Sequence, residues 1–149
     1  MKPDLDVCNY AVLRFLPDPE SGEFVNVGVV VMGVQPPFLE FVMDDPGKSQ
    51  RVRNFFPEEY GAGFEAAKTA LRREFERVQA LIARARDPKA GLLAFQELVR
   101  PRESIFRFSE PRTIMVEDSR QVADKLFDRF VRRASVKPTE VHEAQTHPT

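Results

Sequence analysis

GEFVNVGVVVMG, residues 22–33, is an apolar stretch that past Glu23 contains one polar side chain, Asn26, and a glycine, Gly28, inside the run. Its run of β-branched residues is typical of a strand. Strict alternation predicts two faces for this strand. One face would carry Phe24, Asn26, Gly28, Val30 and Met32, and the other Val25, Val27, Val29 and Val31. The all-valine face is therefore predicted to be buried under helices.

Two further strands are predicted on either side of this stretch. Alternation of apolar and polar residues predicts the first over residues 8–16. The loop PDPESG, residues 17–22, has the turn composition and length of a hairpin connection, so the strand over residues 23–32 returns beside the first. Residues 38–43 are predicted to form the third strand. Short connections between consecutive strands indicate an antiparallel meander.

The hydrophobic period then changes to three and four residues. This pattern predicts a long amphipathic helix over residues 62–86, and Asp87 followed by Pro88 is a typical N-cap and first turn of a second helix. The buried stripe of the long helix is predicted to be Phe64, Ala67, Leu71, Phe75, Val78 and Ile82.

Beyond Pro101 the period of two returns. Residues 104–109 and 112–117 are strand candidates, either as a hairpin across Ser109–Pro111 or as one strand broken at Pro111. Asp118 or Ser119 is expected to cap a last helix. Its buried face would carry Val122, Leu126, Phe127, Phe130 and Val131. The polar residues 135–149 are expected to be a disordered tail.

These elements predict one α+β domain over residues 1–134, with a mainly antiparallel sheet of four or five strands and three helices packed on one face. A chain of 149 residues with 42% apolar residues supports one such core. No apolar run reaches the roughly 20 residues that span a bilayer, and Cys8 has no second cysteine to pair with. A cytoplasmic protein without a disulfide is expected.

The net charge of −1 conceals an uneven distribution. Residues 1–46 hold 2 basic and 8 acidic side chains, whereas residues 47–86 hold 9 and 5. Such a dipolar surface suits a protein partner at least as well as nucleic acid, whose binders usually show a clear basic excess.

A ligand or partner site is predicted beside the polar residues of the first hairpin. If Arg14 pairs with Asn26, then Val12 faces Gly28, and Arg14, Asn26 and the backbone of Gly28 lie together. Arg14 could then bind a carboxylate or phosphate that approaches over Gly28. In the structural interpretation, Asn26 instead marks a bulge or bonds a neighbouring loop, and Gly28 makes room for an aromatic side chain. Arg107 and Arg112 are candidate additional contacts.

Other constellations favour structural roles. The adjacent carboxylates Asp44 and Asp45 lie at an element boundary, as do the pairs at residues 58–59 and 117–118, where capping is expected. His142 and His147 have no metal-ligand spacing, so neither a metal nor a cofactor is predicted. Cys8 has no partner for nucleophilic catalysis. Arginines between residues 51 and 102 leave open a nucleic-acid-binding helical middle.

The segments YAVLRFLPDPESGEFVNVGVVV (residues 10–31) and IFRFSEPRTIMVEDSRQVADKLFDRFV (residues 105–131) resemble the opening and closing parts of a small bacterial family, domain of unknown function 3037. No catalytic residues are carried over from this family. Its members are frequently encoded beside HipA-like kinase proteins, which implies a partner or regulatory role.

The resulting functional hypothesis is a non-enzymatic accessory or regulatory interaction domain, with a kinase-like protein as its partner. Two alternatives stay open. One is a phosphate- or nucleotide-directed hydrolase using Arg14 and Asn26, and the other is nucleic-acid binding through the basic middle.

Overall fold

A computed structural model describes residues 5–132 of the chain. Five strands lie within this range: β1 (Asp6–Phe15), β2 (Val25–Val34), β3 (Pro37–Met43), β4 (Phe106–Phe108) and β5 (Arg112–Val116). The predicted tail, residues 135–149, and both histidines lie outside the described residues.

All strand pairs in the described part are antiparallel. The order across the sheet is β3, β2, β1, and both β4 and β5 pair with the free side of β1. Because both run antiparallel to β1 along the same edge, they are one strand interrupted at residues 109–111 rather than a hairpin. The predicted α+β class with an antiparallel sheet is confirmed.

Four α-helices accompany the sheet within residues 5–132: α1 (Gln50–Phe55), α2 (Phe64–Ala83), α3 (Pro88–Val99) and α4 (Val122–Phe127). Asp87 caps α3 as predicted, since its side chain accepts a hydrogen bond from the backbone of Lys89. The short helix α1 was not predicted. A 3-10 turn (Ser119–Gln121) precedes α4, and a π-helical segment (Asp128–Arg132) continues it. No helix of the described part combines the length and apolar composition needed to cross a membrane.

The helices cover both faces of the sheet. Ala11, Leu13 and Phe15 of β1 pack in the cores that contain residues of α1, α2 and α3, and we call this side the α2/α3 face. Cys8, Tyr10 and Val12 alternate with them and pack against α4, on the α4 face. The expectation that all three predicted helices share one face is therefore wrong for the last one. Strands that are apolar on both sides require cover on both sides.

A β-bulge at Val27 explains a second difference from the predicted pattern. Leu13 pairs with Gly28 and Arg14 with Asn26, so Val27 is an extra residue opposite β1. Beyond the bulge the alternation changes phase. Val25 and Val27 pack on the α2/α3 face, whereas Val29 and Val31 pack on the α4 face. The expected all-valine face is thus divided between two cores, and Asn26 and Gly28 do not share a face.

Candidate functional site

An open concavity of about 460 Å³ lies on the α4 face, near the end of β1 that leads to the first hairpin loop. Its lining comes from β1, β2, the interruption between β4 and β5, and the π-helical segment. The lining residues are Tyr10, Val12, Arg14, Asn26, Ser109, Glu110, Arg112, Arg129 and Phe130. Three of the five residues predicted to form a site, Arg14, Asn26 and Arg112, therefore lie around one concavity.

Arg14 occupies the centre of the local sheet, between Asn26 on β2 and Arg107 on β4. The pairing of Arg14 with Asn26, on which the predicted site depends, is present. The consequence expected from it is wrong, because the bulge places Gly28 opposite Leu13 and Val12 opposite Val29. The guanidinium of Arg14 lies over the ring of Phe24, with its Cζ atom 4.5 Å from the ring centroid. Its Nε is buried without an acceptor among the described residues. Leaving a buried donor of this kind unpaired costs about 1–3 kcal/mol.

Asn26 connects the sheet to the π-helical segment that follows α4. Its Nδ2 donates a hydrogen bond to the backbone carbonyl of Phe130 at 3.1 Å, and its backbone carbonyl accepts one from the Arg51 side chain at 2.6 Å. The structural interpretation of Asn26, a residue beside a bulge that bonds a neighbouring segment, agrees with these contacts. Its Oδ1 is nevertheless buried without a donor in the described part of the chain, so one hydrogen-bonding atom stays unused beside Arg14.

The interruption between β4 and β5 forms the outer wall of the concavity. Pro111 has no backbone N–H and cannot continue the ladder. Ser109 replaces the regular pairing, because its Oγ accepts a hydrogen bond from the backbone of Val12 at 2.9 Å and its backbone N–H donates to the Val12 carbonyl at 2.8 Å. Arg112 begins β5 directly after the proline and pairs with Tyr10. The break thus positions Ser109 and Arg112 at the same edge.

An aromatic pair separates the arginines on the α4 side. Tyr10 and Phe130 stack with ring centroids 5.8 Å apart and an interplanar angle of 23°. Arg129 extends over the Phe130 ring, with 4.9 Å from its Cζ to the centroid. The rings of Tyr10 and Phe130 therefore form an apolar part of the lining beside the arginines.

The three arginines of the concavity, Arg14, Arg112 and Arg129, form no ion pair within residues 5–132. Glu110 is the one carboxylate in the lining. The concavity consequently has an excess of positive charge that the lining does not balance. Guanidinium groups bind carboxylates and phosphates through paired N–H donors, so the geometry is suited to an anionic group.

Gly28 and Arg107 lie outside this concavity. A Cβ atom added to Gly28 would meet the carbonyl oxygen of Val42 at 2.7 Å and the Cα of Met43 at 3.3 Å, so this glycine permits the close approach of β3 rather than of a ligand. Arg107 pairs with Arg14, but its Nε donates to the Ser104 carbonyl at 3.0 Å. Arg107 therefore stabilises its own loop.

Two other sets of predicted candidates have structural contacts. Asp44 accepts hydrogen bonds from Ser49 and Arg51, and Asp45 forms an ion pair with Lys68 at 3.0 Å. Cys8 is fully buried, and burial raises the pKa of its thiol, which disfavours the reactive thiolate. Residues 5–132 contain no group of three or more metal-ligating side chains.

A protein-family model matches residues 10–131, which include every residue of the concavity. It is described as a protein of unknown function (DUF3037). The chain belongs to the DUF3037 family. The match confirms the resemblance seen in the first hairpin and the closing segment. Comparison of this DUF3037 domain with curated proteins and with solved structures gives no match.

Several residues of the DUF3037 concavity were not predicted from the sequence. Arg129, Ser109 and Glu110 reach it only through the pairing of β1 with the interrupted edge strand and the packing of the π-helical segment. A local signal existed for the edge, since Pro111 separates two strand-like segments. No local signal relates Arg129 to Arg14, which lie in opposite ends of the chain.

Proposed function

We propose that this DUF3037 domain is a cytoplasmic, non-enzymatic interaction module of bacteria whose concavity binds an acidic segment of a protein partner. The single observation that supports this function is the convergence of Arg14, Arg112 and Arg129 on one open concavity, where none of the three forms an ion pair with another residue of the described range 5–132. A HipA-like kinase protein is the first partner to test, because the family resemblance implies it.

The charge distribution supports a protein partner. A second concavity of about 380 Å³ is lined by four carboxylates, Asp18, Glu23, Glu58 and Glu59, together with aromatic residues. The domain therefore has a basic concavity and an acidic one. Separate patches of opposite charge select the orientation of a folded partner and accelerate its association.

A hydrolase would use the same arginines for a phosphate but also needs a group that activates water. The lining of the concavity contains no histidine or cysteine, and Glu110 is an exposed carboxylate. The concavity is therefore better suited to binding than to turnover.

The basic helical middle is less suited to nucleic acid than its composition indicates. Glu74 binds both Arg77 and Arg102, and Glu97 binds Arg100. Arg51 and Lys68 are engaged by the aspartates of residues 44 and 45. Ion pairs of this kind reduce the charge available for phosphate contacts.

The test is a titration of the purified domain with a HipA-like kinase protein, by calorimetry at several salt concentrations. Arg112→Ala and Arg129→Ala should each weaken binding about 10- to 100-fold, the range expected for a lost charge-assisted hydrogen bond. Arg72→Ala is the matched control, since Arg72 is an exposed arginine on α2, away from the concavity. Melting temperatures of all three variants should equal that of the parent protein.

Three outcomes would refute the proposal. If the domain elutes alone at every salt concentration when it is purified from cells that express its native operon, it has no stable partner of this kind. If Arg72→Ala weakens binding as much as Arg112→Ala, the basic middle rather than the concavity makes the contact. If the domain hydrolyses a phosphate ester, and Arg14→Ala abolishes that activity without lowering the melting temperature, the hydrolase alternative is correct.

A further inference from the structure

The outer edge of the sheet at β5 has no strand partner within residues 5–132. Strand β5 pairs with β1 on its inner side, from Asp6 opposite Val116 to Tyr10 opposite Arg112. Its sequence, RTIMV, is rich in residues that favour strands and has no proline or lysine inside it. Sheet edges of this composition pair readily with another strand, and proteins usually protect them by charge, proline or bulges.

An exposed apolar row ends at this edge on the α2/α3 face. Val7 of β1 lies directly opposite Met115 of β5, and their side chains are 40% and 59% exposed. Single exposed apolar residues are ordinary on protein surfaces. Here Val7 and Met115 lie opposite each other on neighbouring strands, and Met115 belongs to the strand with the unpaired edge. An added strand with an apolar residue opposite Met115 would extend this row.

We propose that β5 pairs antiparallel with β5 of a second copy of this chain, around a two-fold axis at Met115. A two-fold axis perpendicular to the sheet keeps each face continuous, so residues that meet across it must lie on the same face. An axis through any residue of β5 satisfies this condition, and the apolar residues near the middle of the strand are Ile114 and Met115. The axis at Met115 places two Met115 side chains together and joins the two Val7–Met115 rows into one.

The residues that meet select the axis at Met115 over the axis at Ile114. With Met115 at the centre, Ile114 lies opposite Val116 of the second copy, so apolar residues meet on both sides of the axis. With Ile114 at the centre, Arg112 would lie opposite Val116 and Thr113 opposite Met115, so a polar residue would oppose an apolar one at both positions. The two ends of β5 are also complementary in charge, since Arg112 begins the strand and the exposed Glu117 follows it, and antiparallel pairing brings the start of one copy beside the end of the other.

The interface is small, so the dimer is expected to be in exchange with monomer. Interfaces below about 1,200 Å² generally belong to weak, reversible complexes. Sedimentation equilibrium or light scattering from about 1 μM to about 1 mM should therefore show the average mass rising from monomer toward dimer. Met115→Lys should raise the dissociation constant at least about 10-fold, since two lysines would meet at the axis. Leu93→Lys, at a 65% exposed leucine of α3, is the matched control and should leave the mass curve unchanged.

Cross-linking tests the axis itself. Met115→Cys places two cysteines directly opposite each other, at Cα separations of about 4.5–5.5 Å that a disulfide accepts. Thr113→Cys, on the same face, would separate the two cysteines by roughly 13 Å and is the control that should not cross-link. The natural Cys8 is fully buried and should not take part. A monomer at every concentration would overturn the proposal, and so would faster cross-linking of Ile114→Cys than of Met115→Cys.

Discussion

Replacing Gly28 by alanine tests the role that the structure assigns to the glycine of β2. The added Cβ would lie 2.7 Å from the carbonyl oxygen of Val42, whereas ordinary contacts begin at 3.4 Å. Strand β3 would have to move by about 0.7 Å, enough to stretch a ladder hydrogen bond of about 2.9 Å beyond its useful range. Because the obstacle is backbone, no side-chain rotation relieves it.

The expected result of Gly28→Ala is a net loss of about 1–2 kcal/mol in the free energy of unfolding. Overpacking costs typically about 1–3 kcal/mol, and the lower conformational entropy of the unfolded alanine chain offsets about 0.4–1 kcal/mol of it. For a domain of this size the melting temperature should fall by roughly 3–10 °C. Circular dichroism during heating and urea unfolding measure both quantities.

Gly91→Ala is the matched control for this substitution. Gly91 lies inside α3, and no heavy atom lies within 4 Å of the Cβ position. The same chemical change should there stabilise the protein by about 0.5–1 kcal/mol, because alanine favours a helix. If Gly28→Ala melts at or above the temperature of the parent protein, the close approach of β3 is not what requires the glycine. Loss of partner binding at unchanged stability would instead indicate a ligand contact.

Two further predictions concern the segment between β3 and α1. Ser49→Ala should lower the free energy of unfolding by about 1–2 kcal/mol in urea unfolding, since the Ser49 side chain caps α1 and donates to Asp44. Burial opposes the ionisation of Asp45, but its hydrogen bonds from Lys68 and Gly47 outweigh burial and lower its pKa. A lowered pKa in the folded state adds stability above the pKa of the unfolded chain, so the advantage of the parent protein over Asp45→Asn should decline below about pH 4. An advantage that grows on acidification would contradict this assignment.

The order of the elements other than α1 follows from local patterns in the sequence. Turn composition and loop length predicted the first hairpin and permitted the pairing of Arg14 with Asn26, without fixing its register. The bulge at Val27 was not predictable in the same way, because alternation reveals a change of phase only where polar and apolar residues contrast. Val25, Val27, Val29 and Val31 are identical, so a strand buried on both faces conceals the bulge between them.

The candidate site was predictable only on the strand side. Arg14, Asn26 and Arg112 were identified because polar residues in apolar strands stand out. Arg129 was not identified, because an exposed arginine on an amphipathic helix is ordinary. Its place beside Arg14 depends on α4 covering the face opposite α2 and α3, which composition does not determine. The short helix α1 was missed as well, although Ser49 provides an N-cap signal.

The central position of β1 affects the order in which the sheet can be completed during synthesis. Strand β1 is made before the other strands of the sheet, and β2 can pair with it soon afterwards. Its other edge pairs with β4 and β5, and Asp6 meets Val116, on the order of 100 residues later. Until those residues emerge from the ribosome, one edge of the apolar strand β1 has no strand to pair with. A nascent chain of this protein therefore has a long period in which β1 is available to a chaperone or to another chain.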